Sequence, residues 1–235
     1  MNELGALSGY YGYIIVGMVL SVMGFLVSAR LKSKFQKYSQ VGLRNGMSGK
    51  EIAEAMLRHY NISNVRVVEH EGFLSDHYNP LTKSVALSHA IYSGRSVMAA
   101  AVAAHECGHA VQHDQAYAWL TLRSKVVPIV NVAAQAQQWL LIIAFLTIGT
   151  MPQLLLICII AFSITTAFAF ITLPVEFDAS RRAVAWLESS GTAHAAELDG
   201  SKDALKWAAM TYVSAALSSL VMLLYLIMRY VGSRD

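Results

Sequence analysis

Four long stretches of this chain of 235 residues contain almost no charged side chain. A helix that crosses a membrane needs about 20 consecutive, mainly apolar residues. Stretches of this kind occur at 10–27, 129–149, 154–173 and 212–230. The second is the most polar, since one asparagine and three glutamines crowd its first half. The pattern predicts a mainly α-helical, polytopic membrane protein with about four transmembrane helices, built as a single domain over residues 1–235.

The composition agrees with lipid as the main solvent of the chain. Hydrophobic residues make up 55% and charged residues only 14%, whereas a soluble domain usually carries about 25% charged residues. An ordinary cytosolic enzyme is therefore disfavoured. The net charge of +3, without a dense run of Lys and Arg, argues against a nucleic-acid partner. Because Glu3 is the only charged residue before the first stretch, we interpret that stretch as an uncleaved anchor rather than a signal peptide.

The positive charges predict how the chain is oriented in the membrane. With four spans, segments 28–128 and 174–211 lie on one side, and together they contain 16 of the 18 Lys and Arg residues. Positive residues accumulate on the cytoplasmic side of membrane proteins. We therefore predict that both segments are cytoplasmic and that the N-terminus and the C-terminus lie outside. All eight histidines also fall in these two segments.

The first cytoplasmic segment combines a short helix with a small β element. The helix begins at a capping box formed by Ser48 and Glu51, and its apolar residues keep helical spacing to about Tyr60. Residues 65–68 and 84–88 then read as short strands with an Asn-Pro turn between them, which predicts an antiparallel pair. The element is either a minor sheet that covers the fold or an exposed edge along which an extended peptide lies, and the sequence leaves both open.

An alanine-rich run at 99–111 carries the residues with the clearest chemistry. His105 and His109 are four residues apart, so on a helix both imidazoles point to one side and can reach the same ion. Glu106 can then reach a water molecule rather than the metal. This is the HExxH arrangement, in which two histidines hold zinc and the glutamate takes the proton of the water. The alternative is a buried helix whose two histidines are satisfied by polar partners.

A catalytic zinc ion needs a third protein ligand and one open position for water. Two carboxylates after the third span compete for that role. Glu176 shares a helix face with small and apolar side chains, which suits burial against another helix. Asp178 shares its face with Arg181 and Arg182, which is typical of a solvated ion pair. We predict that Glu176 is the ligand and that Asp178 has a structural or supporting role.

Four segments of the chain resemble the YugP-like family of membrane neutral zinc metallopeptidases, and they read HECGH, DHYNPLTKSVALS, LRSKVVP and LPVEFDASRRA. The resemblance extends over nearly the whole chain. It implies a zinc peptidase with His105, His109 and Glu176 as ligands and Glu106 as general base. More distantly, the chain is similar to gluzincin membrane peptidases of the HtpX and CAAX prenyl protease kind, whose third ligand lies in an ExxxD motif. Ser180 stands at the position of that aspartate, so the surroundings of the ligand must differ.

These observations favour an integral-membrane zinc-dependent endopeptidase that hydrolyses membrane proteins or peptides at the cytoplasmic face, by zinc-activated water with Glu106 as base. The expected partners are the substrate, the lipid bilayer and other membrane proteins in a complex. The alternative is a non-proteolytic adaptor or quality-control partner with a structural zinc site. A structural site needs no general base and is usually closed by a fourth ligand. Cys107 is the nearest candidate, but on a helix it points about 200° away from His105.

A metal transporter fits the sequence poorly, because the predicted spans contain no Asp, Glu or His in their middle.

A peptidase also needs a donor for the oxyanion that forms during hydrolysis. The candidates, which the sequence does not rank, are His77, Tyr78, His194 and Tyr212.

Overall fold

The computed structural model describes residues 3–147 and 151–232, and the predicted end of the second span at Gly149 lies outside them. The described chain is mainly helical, with seven helices and three strands. The helices are α1 Glu3–Ser39, α2 Gly49–His59, α3 His89–Tyr92, α4 Val97–Asp114, α5 Ala118–Leu146, α6 Pro152–Ser189 and α7 Ala196–Val231. The strands are β1 Arg66–His70, β2 His77–Asn79 and β3 Ser84–Ser88.

The chain divides into two compact units, which are described separately. Unit 1 comprises 1–27, 122–173 and 211–235, and unit 2 comprises 28–121 and 174–210. Four of the helices, α1, α5, α6 and α7, contribute residues to both units. The single domain over residues 1–235 stays a prediction.

Unit 1 contains the apolar stretches on which the membrane prediction depends. Within the described residues, three helical segments are long and apolar enough to cross a membrane: Tyr11–Ser39, Gln153–Ser189 and Ala196–Val231. They include the predicted spans at 10–27, 154–173 and 212–230 almost completely. The stretch at 129–149 is helical as far as Leu146 but is not among the three, so the fourth span stays a prediction.

Unit 2 is built around α4, which packs against α2. The capping box at the start of α2 is confirmed: Ser48 Oγ accepts the backbone N–H of Glu51, and the Glu51 carboxylate accepts the N–H of Ser48 at 2.7 Å. One face of α2 then buries Ile52 and Met56 completely. The α4 helix is buried on nearly all sides, because alanines leave room for neighbouring elements to approach closely.

The sheet corrects the prediction of a simple antiparallel pair. The strand order is β1-β3-β2, and β1 runs parallel to the central strand β3. Only β2 is antiparallel to β3, with His77 opposite Ala86 and Asn79 opposite Ser84. The sequence interpretation missed β2, which lies within the connection 71–83 between the two predicted strands. That connection is long enough to reverse the chain twice, so β1 and β3 point in the same direction.

Candidate metal centre

The α4 and α6 helices approach each other closely at Gly108. A Cβ atom added to Gly108 would lie 2.6 Å from the backbone oxygen of Ala179, which is far closer than such atoms can come. Only glycine allows this contact without moving one of the helices. Gly108 is next to His109 in the sequence and Ala179 is next to Asp178, so this close approach brings the side chains of the two helices within reach of each other.

Three side chains of unit 2 converge at this contact. His105 Nε2 lies 3.4 Å and His109 Nε2 lies 3.6 Å from the same oxygen of Glu176. One ligand atom from each residue falls within 4.8 Å of the others, a spacing that allows all three to hold one metal ion. The Glu176 side chain is only 2% exposed. The structure therefore brings together the three residues that the sequence predicted as ligands.

Gln112 sets the orientation of His109. Its amide nitrogen donates to the backbone oxygen of Val175 at 2.8 Å and to the Asp178 carboxylate at 2.9 Å. Both partners are acceptors, so the amide is fixed with its oxygen toward His109 Nδ1, at 3.0 Å. Nδ1 then carries a hydrogen, and Nε2 is the ring nitrogen that is directed at Glu176 and available to a metal ion. Metal-binding histidines are commonly fixed in this way through their other ring nitrogen.

Ser180 contacts His105 in the same way that Gln112 contacts His109. Its Oγ lies 3.1 Å from His105 Nδ1, which leaves Nε2 directed at Glu176. Glu176 and Ser180 are one helical turn apart on α6, so a single face of that helix supplies both a candidate ligand and a hydrogen-bond partner for another ligand. The serine that stands at the aspartate position of the ExxxD motif thus contacts a candidate ligand directly.

Asp178 forms the predicted ion pairs with Arg181 and Arg182. The carboxylate is not solvated, however, because Asp178 is only 4% exposed and faces Gln112 on α4. The helical-face argument missed this because Gln112 and Asp178 are brought together only by the packing of α4 against α6. Asp178 therefore supports His109 through Gln112, and the two arginines balance its buried charge.

Glu106 follows His105 directly in the sequence and lies beside the cluster. The residue is 8% exposed, and among the described residues its side chain has no hydrogen-bond or ion-pair partner. A carboxylate in such a position can accept a proton from a bound water molecule.

Cys107 points away from this cluster, as the helical geometry predicted. The thiol is completely buried against α2 and lies 3.5 Å from the backbone oxygen of Ala53. Burial raises the pKa of the Cys107 thiol, so it stays protonated. A protonated thiol directed at another helix is not a fourth ligand.

The electrostatic environment favours a cation at the cluster. Burial by itself would lower the pKa of His109, but the hydrogen bond and charge of Glu176, together with the charge of Glu106, raise it. Two imidazole nitrogens and one carboxylate oxygen are also donors that suit zinc, and three protein ligands leave a position open for water. The donor set therefore fits a catalytic zinc ion.

Comparison with known proteins decides the family. Residues 13–231 match the model of a family described as "Putative neutral zinc metallopeptidase". The chain belongs to this family. It is also 40% identical over 223 residues to the "Putative membrane protease YugP" of Bacillus subtilis (strain 168), across 95% of this chain and 98% of that protein. No solved structure matches the chain.

Family membership and geometry agree on the cofactor. The family is one of zinc peptidases, and the cluster of His105, His109 and Glu176 can bind a metal ion. Membership also confirms the predicted resemblance to membrane neutral zinc metallopeptidases. The membrane assignment is supported by the relative and by three helices that are apolar enough to span.

The four candidates for the oxyanion donor lie in different parts of the structure. Tyr78 lies on β2, which contacts α4, and its hydroxyl is 2.8 Å from Nδ1 of His113, one turn after His109. His77 Nδ1 is 2.8 Å from the backbone oxygen of Ser75. The backbone N–H of His194 donates to Glu197 near the start of α7, and Tyr212 belongs to unit 1. Tyr78 is therefore the candidate in unit 2 whose contacts lead directly to α4.

Proposed function

We propose that this protein is an integral-membrane zinc endopeptidase that cleaves membrane proteins or peptides at the cytoplasmic face. The observation that carries the proposal is the convergence of His105, His109 and Glu176 beside a buried Glu106 that makes no hydrogen bond or ion pair among the described residues. A structural zinc site would need neither this free carboxylate nor an open position. The buried thiol of Cys107 also argues against the adaptor alternative, because it does not close the site.

The proposed mechanism assigns a separate task to each residue. His105, His109 and Glu176 hold zinc, which when bound supplies Lewis-acid polarisation of water and of the substrate carbonyl. Glu106 accepts the proton of the attacking water and then delivers it to the nitrogen of the leaving amine. Hydrolysis thus yields a new carboxylate and a new amine. Gln112 and Ser180 keep the imidazoles oriented through their Nδ1 atoms.

We further place the substrate along β2. This strand is at one edge of the sheet and packs against α4, so a peptide paired with its free edge would run past the motif helix. Tyr78 would then donate its hydroxyl hydrogen to the oxyanion. The test measures amide hydrogen exchange in the Glu106→Gln variant with a bound substrate peptide. Exchange should slow at 77–79 and stay unchanged at the opposite edge strand, 66–70; equal slowing at both would contradict this placement.

The general base is tested by Glu106→Gln, which removes the proton acceptor and keeps the shape of the side chain. We expect peptide cleavage to fall at least about a hundredfold, while zinc content and folding stay at the wild-type level. The measurement is quantitative proteomics of membrane fractions, comparing cells that express the wild type and the variant. Glu188→Gln is the matched control, because this exposed carboxylate lies on α6 away from the cluster. Fragments that persist at wild-type levels in Glu106→Gln would refute the mechanism.

The third ligand is tested by metal analysis rather than by activity. Glu176→Ala should lose most of the bound zinc, because two imidazoles alone bind the ion weakly. Asp178→Ala should retain a larger share, since Asp178 acts through Gln112. Greater zinc loss from the Asp178 variant than from the Glu176 variant would overturn the assignment.

The orientation is tested by labelling single cysteines in intact cells. Under the proposed topology, Glu188→Cys is cytoplasmic and reacts with an impermeant maleimide only after the membrane is opened. Gly232→Cys lies outside and reacts in intact cells. The two native cysteines are buried and contribute little background. Labelling of the Glu188 variant in intact cells would reverse the proposed orientation.

A further inference from the structure

A groove between α6 and α7 lies within unit 2, outside the metal cluster. It encloses about 590 Å³. Its walls are largely apolar and include Phe177 and Val184 from α6 and Leu205 and Met210 from α7. The Phe177 side chain is 47% exposed. A large aromatic side chain left this open suggests an apolar occupant.

Three cations stand around the groove. Lys202 and Lys206 lie one turn apart on α7, and Arg181 faces them from α6. The described structure shows no carboxylate within 4 Å of either lysine, whereas Arg181 pairs with Asp178. Among the described residues that line the groove, Glu188 is the acidic one. The lining thus keeps a positive excess, with two lysines available to an anionic group.

The apolar and cationic residues are ordered along the two helices. Phe177 lies four residues after the predicted span 154–173, and Met210 lies two residues before the predicted span 212–230. Arg181 comes four residues after Phe177, and Lys206 comes four residues before Met210. Each cation is therefore about 6 Å further along its helix from the apolar stretch. A ligand that matches this order has an apolar part toward the apolar stretches and an anionic head beyond it.

We infer that this groove binds an anionic phospholipid, with its phosphate against Lys202 and Lys206 and part of an acyl chain along Phe177 and Met210. Charge complementarity and the apolar wall both support this occupant. Phospholipids of the cytoplasmic leaflet are negatively charged and attract basic residues next to spanning helices. An acidic peptide fits less well, because the largely apolar wall offers few partners for the polar groups of its backbone.

The test uses variants that avoid the metal cluster. Ser180 and Arg181 also line the groove, but Ser180 contacts His105 and Arg181 contacts Asp178, so neither is substituted. Lys202→Gln combined with Lys206→Gln removes two exposed charges. Lys32→Gln combined with Lys37→Gln is the matched control, because these exposed lysines lie on α1 and do not line the groove.

The measurement is native mass spectrometry of the full chain in neutral detergent, titrated with phosphatidylglycerol or phosphatidylcholine. We expect phosphatidylglycerol to bind the wild type more tightly than phosphatidylcholine. The α7 double variant should weaken phosphatidylglycerol binding about tenfold or more, and the α1 control should leave it near wild type. Ala185→Trp, at an exposed position of the groove wall, should also weaken binding without any change of charge.

Three results would overturn the inference. Equal binding of the two lipids would show that the anionic head is not recognised. Equal losses in the two double variants would show general surface attraction rather than binding in the groove. Displacement of phosphatidylglycerol by excess inorganic phosphate or by an acidic peptide would assign the cations to a free anion or to a peptide.

Discussion

The two units of the molecule place their large apolar side chains differently. In unit 2, Ile52 and Met56 are completely buried beneath α4. In unit 1, Val19 on α1 is 63% exposed and Met228 on α7 is 65% exposed. Burial against protein is favourable only where the alternative is water. The difference therefore indicates that protein packing excludes water from the core of unit 2, whereas lipid surrounds the outer faces of unit 1.

Two buried polar side chains, one in each unit, differ in their hydrogen bonding. The Gln112 amide of unit 2 is completely buried and makes three hydrogen bonds, which connect a candidate ligand to α6. The Thr166 hydroxyl of unit 1 is buried without a hydrogen-bond partner in the described structure. Fully satisfied polar groups fix one arrangement of their neighbours. The hydrogen bonds of Gln112 thus fix the contact between α4 and α6 where the proposed chemistry takes place.

The largest effect is expected from a charge on the outer face of unit 1. Val19→Asp should destabilise the protein in lipid nanodiscs by about 3 kcal/mol, the cost of an acidic group in the middle of a spanning helix. Leu81→Asp is the control, because Leu81 is 94% exposed in the turn between β2 and β3 of unit 2. It should change stability by less than about 0.5 kcal/mol. Thermal unfolding checks both; equally small effects would mean that α1 does not face lipid.

A second comparison uses two helical glycines. Gly108→Ala should destabilise unit 2 by about 1–3 kcal/mol, because the new methyl group would overlap the backbone of Ala179. It should also weaken zinc binding by separating α4 from α6. Gly24→Ala in unit 1 should cost nothing, since no atom lies within 4 Å of the added Cβ. Denaturation and zinc competition measure the two effects, and a Gly108 variant with wild-type zinc affinity would contradict the close-approach argument.

A third comparison concerns the buried polar groups. Gln112→Leu should lower zinc affinity about 10- to 100-fold, because His109 loses the group that orients its ring. Thr166→Val removes a hydroxyl that makes no hydrogen bond, so it should leave stability and zinc affinity unchanged. Both are measured by competition with a zinc chelator. Equal affinities of the Gln112 variant and the wild type would show that the ring is held by other contacts.

The smallest effect is expected at the capping box of unit 2. Hydrogen bonds from the backbone and hydroxyl of Ser48 hold the pKa of Glu51 below its ordinary value. The stabilisation is therefore complete above the pKa that Glu51 has in the unfolded chain, and it is lost as the pH falls through the lower pKa of the folded state. Glu51→Gln should lower the melting temperature slightly at neutral pH. The melting temperature of this variant should also fall less on acidification than that of the wild type. An acid profile identical to that of the wild type would contradict this.

The features of unit 2 that depend on residues close together in the chain could be predicted from the sequence. The capping box depends on two side chains three residues apart, and the structure forms it as predicted. The spacing of His105 and His109 likewise follows from the turn of one helix. Glu176 was preferred to Asp178 from helical phase, and the structure brings Glu176 into the cluster.

Features that depend on two distant segments were missed or misjudged. The parallel pairing of β1 with β3 depends on the short strand β2, which three residues do not mark clearly in a sequence. Asp178 was expected in solvent, yet it is buried because Gln112 reaches it across the helix contact. Gln112 itself carried no sequence signal, since its role depends on a hydrogen bond to a residue 66 positions away.

The sequence by itself determined that the long helices are apolar enough for a lipid environment, which family the chain belongs to and which residues are able to bind zinc. These properties follow from composition and from spacing within single helices, which local physics controls. Only the tertiary structure decided that Gly108 lets α4 and α6 meet, that Gln112 and Ser180 orient the two imidazoles, and that cations and apolar side chains share one groove. Such contacts join residues far apart in the chain, so packing alone determines which of them meet.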